Sequence, residues 1–121
     1  MKQRRIYEAY PALLKLSNQE LPIREAWNVA KQLSKLKPFW QFQADEERKF
    51  IAARDHDFKD GGLWFKTVED KEAFDRRVDE ILDLEQEVEI QPFKLAISAD
   101  IRLTAQDVQA LQGDFIEFVE E

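Results

Sequence analysis

DFKDGGLWFKT, residues Asp57–Thr67, lies between two stretches of helical periodicity and decides how they meet. It holds two of the chain's three glycines. Asp-Gly between short aromatic-bearing arms is a hairpin signal, because glycine supplies the positive φ that a tight turn needs. Two helices joined by so short a hairpin run antiparallel. Trp64 and Phe65 are adjacent in the second arm. In a strand they point to opposite faces, so one can bury against the helix ends while the other stays in water. The aromatic pair is therefore either a lid on the turn or a docking knob.

On the N-terminal side, Pro22 opens a helix where a missing N–H costs little. Ile23, Ala26, Trp27, Ala30, Leu33 and Leu36 follow at three-four spacing and predict its buried stripe, with Arg24, Lys31 and Lys35 off it. Trp27, Phe39 and Trp40 are read as core. Pro38 either kinks this helix or starts a new one; the pattern resumes nearly in phase with Trp40, Ala44, Glu47, Phe50, Ile51 and Arg54, which favours one long, kinked helix ending near Arg54. Ahead of it, Ile6–Leu16 forms a short helix with Tyr7, Tyr10, Leu13 and Leu14 on one face and Pro11 in its first turn. SNQELP, residues 17–22, breaks it.

On the other side, Thr67 can cap a helix over Val68–Glu87, with Glu69 and Asp70 favourably placed in the first turn. Phe74, Val78 and Ile81 form its stripe, extended by Leu82 and Val88. Residues 88–98 then alternate apolar and polar with a register shift at Pro92, which predicts an edge strand with a bulge or two short strands. Thr104 and Asp107 form a capping box for a compact helix, with Val108 and Leu111 inward and Gly113 as its stop. The tail, from Asp114, packs back on the body through Phe115, Ile116, Phe118 and Val119. The expected fold is α+β, mainly α. It is a long antiparallel helical hairpin with a β-hairpin at its tip and a C-terminal strand plus short helix, all in a single domain over residues 1–121.

Hydrophobic residues make up 44% and charged residues 36% of 121. With nine phenylalanines and three tryptophans, that is the composition of a folded chain with many wet faces. The absence of cysteine excludes disulfides, thiolate zinc sites and a thiol nucleophile. No apolar run approaches the ~20 residues that span a bilayer. Glu8, Lys15 and Asn18 interrupt what would be a signal peptide's apolar stretch, so a cytoplasmic location is expected. The net charge of −7 is unevenly spread. Residues 1–66 carry 13 basic and 9 acidic side chains, and residues 67–121 carry 5 and 16. Two halves of opposite sign are expected to face each other across the helical hairpin, or to face a charged partner. An acidic chain is a poor direct binder of nucleic acid.

Four stretches carry a resemblance. They are ALLKLSNQELPIREAWNVAKQLSKL (12–36), EERKFIAARD (46–55), FDRRVDEILDLEQEVEI (74–90) and LTAQDVQALQGDFIEF (103–118). Their order and spaced apolar residues resemble a family of small, uncharacterised proteins encoded by phages and prophages of Gram-positive bacteria. Pro38 and the tip, residues 61–65, stand outside the shared pattern. The resemblance implies a virus-derived accessory or assembly protein and brings no catalytic residues with it.

Asp55, His56, Asp57 and Asp60 could in principle hold a divalent cation, but four polar residues before a turn ordinarily just solvate it. His56 is the only histidine, which leaves no pair for a common hydrolytic or zinc site. Asp75, Asp79, Asp83 and Glu87 recur every four residues and predict an acidic stripe on one helix face, answered by cations across the hairpin. No phosphate loop follows Gly61-Gly62, and no serine lies in a nucleophile motif. No catalytic, cofactor or metal residue is assigned. The expected function is non-enzymatic and works by protein–protein contact. Trp64 and Phe65 anchor it, and Asp75, Asp79 and Asp83 form an electrostatic flank. Expected partners are a viral or host protein and further copies of the chain, since a thin hairpin struggles to bury its own stripe. The alternative is an acidic inhibitor that mimics nucleic acid to block a host protein.

Overall fold

The computed structural model describes residues 1–98 and 100–120. The order is α1 (Gln3–Ser17), α2 (Ile23–Ala52), β1 (His56–Lys59), β2 (Gly62–Phe65), α3 (Val68–Leu82), β3 (Phe93–Ala96), α4 (Ala105–Leu111) and β4 (Ile116–Val119). The fold is α+β, mainly α. Among the described residues no helix is long and apolar enough to cross a membrane.

The expected helical hairpin is present, with unequal arms. α2 runs 30 residues without a break at Pro38, and α3 runs 15. Arg54 pairs with Asp70 and Glu46 with Arg77, so partner numbers fall on one helix as they rise on the other, the signature of antiparallel packing. α3 stops at Leu82 rather than Glu87. Its last turn holds no basic residue to answer the helix dipole. The chain beyond it is also claimed by the N-terminus: Gln3 N–H donates to Leu84 O at 2.8 Å and Gln86 N–H to Met1 O at 2.8 Å. Thr67 caps α3 by accepting from Asp70 N–H, as its sequence predicts.

The centre of the core is α1. Ile6, Ala9, Ala12, Leu13 and Leu16 are buried there against Val29 and Leu36 of α2, Leu95 of β3, Ala110 and Leu111 of α4, and Phe115 and Ile116. Each large aliphatic or aromatic side chain so buried is worth about 1.5–3 kcal/mol. The α1 stripe is thus Ile6-Ala9-Leu13-Leu16, rotated from the expected one. Tyr10 and Leu13 are inside, but Tyr7 and Leu14 are exposed. Pro11 lies mid-helix, not in the first turn.

The α2 stripe also differs from expectation. Its buried residues are Val29, Gln32, Leu36 and Gln43. Ile23 and Trp27, read as core, are 85% and 62% exposed. The two glutamines hide the true stripe from a hydropathy pattern. Gln32 is accepted inside because its Nε2 donates to Gln91 O and Phe115 O at 3.0 and 2.8 Å. Trp40 and Phe39 are half-buried against the core.

Residues 88–98 give one short strand, β3, and its partner is the tail. β3 and β4 pair in parallel, Phe93 opposite Ile116 and Ala96 opposite Val119, with α4 as the crossover. α4 carries the predicted capping box of Thr104 and Asp107. Gly113 follows at φ 90°, a conformation that favours glycine.

Candidate functional site

The hairpin at the far end of α2 closes through Asp60 and Gly61, with φ of 52° and 75°. Two successive positive values make the type I′ turn that Asp-Gly favours. His56 pairs with Phe65, Asp57 with Trp64 and Phe58 with Leu63. Alternation then places His56, Phe58, Leu63 and Phe65 on one face and Asp57, Lys59 and Trp64 on the other.

Phe65 turns inward. Its ring lies 6.4 Å from Phe50 of α2 and 5.3 Å from Phe74 of α3, and those two rings are 5.7 Å apart. This aromatic cluster is the foot of the hairpin. Phe65 is therefore a structural anchor and not an exposed contact.

Trp64 turns outward and is 54% exposed. Its Nε1–H donates to Lys59 O at 3.1 Å, so one edge of the indole is fixed over the turn. The residue both covers the turn and presents a face to water. A side chain ordered in advance has less rotamer freedom to lose on binding.

Phe58 is the contact candidate that the sequence reading passed over. It is 70% exposed and stands at the lip of a groove of about 460 Å³. Ile51, His56 and Phe74 line that groove with it, together with Glu47. Partial burial pushes the Glu47 carboxyl above its usual range. The signal for Phe58 was available, since in a two-residue hairpin the alternation fixes which face each arm residue takes.

Asp55, His56, Asp57 and Asp60 do not converge. His56 Nδ1 lies 2.8 Å from Arg54 O, which fixes it as the donor. Asp57 faces the other way and pairs with Lys66, whose ammonium hydrogen-bonds its carboxyl and holds it below the usual range. Among the described residues no group of three or more His, Asp or Glu is arranged to hold a metal ion.

The acidic stripe is shorter than its spacing predicts. Asp75 and Asp79 lie on α3, whereas Asp83 is the helix C-cap and Glu87 lies beyond it. Asp75 pairs with Lys71 of its own helix at 2.9 Å. Asp83 pairs with Arg4 of α1 at 3.4 Å. Across the α2–α3 packing, the Arg77–Glu46 pair carries its cation on the acidic helix, and its hydrogen bond holds Glu46 below the usual carboxylate range. Arg54–Asp70 is a pair of the expected sense across the hairpin, and α1 answers the acidic half further, through Arg4–Asp83, Arg5–Asp114 and Lys15–Asp107.

No family model, curated protein or solved structure matches the chain.

Proposed function

We propose that the protein works by protein–protein contact, as an accessory or assembly factor of viral origin, with the β-hairpin as its docking tip. The observation that carries this reading is the mounting of the tip. Phe65 locks the hairpin to α2 and α3, while Trp64 and Phe58 project from its two faces into water. Large aromatics held rigidly in the open are the residues that dominate protein interfaces. The groove beside Phe58 offers an apolar slot whose lining also carries the Glu47 carboxylate and the Arg48 guanidinium, suited to a side chain with an apolar body and a polar end.

The test is affinity capture from infected host cells with the native protein, Trp64→Ser, Phe58→Ser and a Lys71→Ser control remote from the tip's aromatic faces. The reading requires a specific partner that the control retains in high salt and that one or both aromatic variants lose with unchanged circular dichroism. Capture that is indifferent to both aromatics overturns it. A nucleic-acid-binding host protein, released by salt and by Asp75→Ser/Asp79→Ser, would instead support the charge mimic.

A further inference from the structure

The N-terminal half of α2 has a second amphipathic face that the molecule does not use. Ile23, Trp27, Ala30 and Ser34 lie on the side of the helix opposite Val29 and Leu36, and all four are exposed. Arg24, Lys31 and Lys35 run along one flank of that apolar strip, with Lys31 Nζ 6.0 Å from the Trp27 ring. Arg24, Lys31 and Lys37 make no ion pair among the described residues, and Lys35 reaches only the Glu89 carbonyl.

The outward face of α3 is the counterpart. Val68, Glu72, Asp75 and Asp79 share it, and Asp83 continues it at the C-cap. Val68 is exposed, and Glu72 and Asp79 make no ion pair among the described residues. Glu72 to Asp83 covers the same number of residues as Arg24 to Lys35, about 16 Å of helix at 1.5 Å per residue. Within one molecule the two faces do not meet, because α3 packs beside the C-terminal half of α2, at Glu46 and Arg54.

We infer that the Ile23–Trp27 face of one copy docks on the outward α3 face of a second copy. Charge selects this arrangement. A symmetric α2–α2 contact would set Arg24, Lys31 and Lys35 against themselves, whereas α2 on α3 sets cations against carboxylates. Trp27 supplies the anchor and Val68 the apolar contact. The interface joins two different patches, so it does not close on itself, and copies add head to tail into rings or filaments. One helix pair buries less than the ~1,200 Å² of a standard stable complex, so each contact is transient and salt-sensitive. The inference uses neither Trp64 nor Phe58 and stands apart from the tip reading.

Sedimentation of the purified protein over rising concentration tests it. The native chain should form species larger than dimers at low salt and dissociate at ~0.5 M salt. Trp27→Glu and, separately, Asp75→Lys/Asp79→Lys should each weaken association about tenfold or more with unchanged circular dichroism. Mixed together, they should form a one-to-one dimer and nothing larger, because each variant keeps the face the other has lost. A native chain that stays monomeric at all concentrations overturns the inference. So does a dimer of fixed size that ignores the aspartate changes. Binding of a labelled single-stranded oligonucleotide, lost in Trp27→Glu while sedimentation stays unchanged, overturns it as well.

Discussion

The guanidinium carbon of Arg54 lies 3.4 Å from the centroid of the Phe50 ring. The same side chain donates through Nη1 to Phe50 O at 3.1 Å and reaches Asp70 of α3 at 3.6 Å. One residue thus caps the aromatic cluster under the hairpin and joins the two helices that carry it. Arg54→Ala should cost about 1–2 kcal/mol by urea denaturation, the sum of a partly desolvated cation–π contact and a half-exposed ion pair. Arg54→Lys should recover little of this, because an ammonium cannot lie flat on the ring while bonding two further groups. Full recovery by lysine would show that only charge matters there.

Gln3 makes the buried polar junction. Its Nε2 donates to Phe39 O at 2.9 Å and Gln43 Oε1 at 3.1 Å, and its Oε1 accepts from Gln86 at 3.0 Å. Gln3→Leu fits the volume but strands the Gln43 and Gln86 amides. A loss of about 2–3 kcal/mol is expected in chemical denaturation, against near-neutrality for the exposed change Glu8→Leu.

Asp107 sets an acid limit on α4. Burial works against its charged form, but the Lys15 ammonium and the Thr104 backbone and hydroxyl together outweigh it and hold the carboxyl below its usual range. A lowered folded pKa gives stability that is complete above the unfolded value near 3.9 and lost as pH falls through the folded one. Urea midpoints of the native protein should drop on going from pH 5 to about pH 3. In Asp107→Asn, which keeps an acceptor for Thr104 N–H, that drop should be smaller. Equal drops in the two proteins would remove Asp107 from the account.

Glu47 has the opposite sign. Burial raises its folded pKa, so its charge opposes folding at neutral pH, and the penalty disappears as pH falls below the unfolded value near 4.3. Glu47→Gln should raise the melting temperature at pH 7, and the gain should vanish by pH 4. A destabilised Glu47→Gln would mean that the carboxylate has a structural partner in the groove.

Local chemistry was legible in the sequence where one residue type has one physical use. Asp60-Gly61 dictated the turn, Thr67 and Thr104 dictated helix starts, and Gly113 marked a stop. Burial was less legible wherever a helix has two candidate faces. Trp27 and Ile23 outweigh Gln32 and Gln43 on any hydropathy scale, yet the glutamines are inside, where Gln32 donates to the backbone carbonyls of Gln91 and Phe115 and Gln43 accepts from the Gln3 amide. Strand β4 was hidden for a different reason. IEFV is short, and its ladder partner lies beyond a helix, so no local pattern announces a parallel pair. At the tip, strand alternation correctly separates Trp64 from Phe65, but only the positions of Phe50 and Phe74 decide which of them turns inward.

The arrangement of α1 bears on how the chain is made. Its apolar face is covered in part by Val29 and Leu36 of the next helix and in part by Leu95, Leu111, Phe115 and Ile116, much farther along the chain. A ribosome emits α1 before these residues. In the interval the stretch from Glu46 to Arg77 can complete its aromatic cluster, since Phe50, Phe65 and Phe74 all lie within it, together with the Arg54–Asp70 and Glu46–Arg77 pairs. The hairpin end is thus free to mature during synthesis, while the part of α1 that α2 does not cover must wait, open to chaperones and to neighbouring nascent chains, until β3, α4 and β4 arrive.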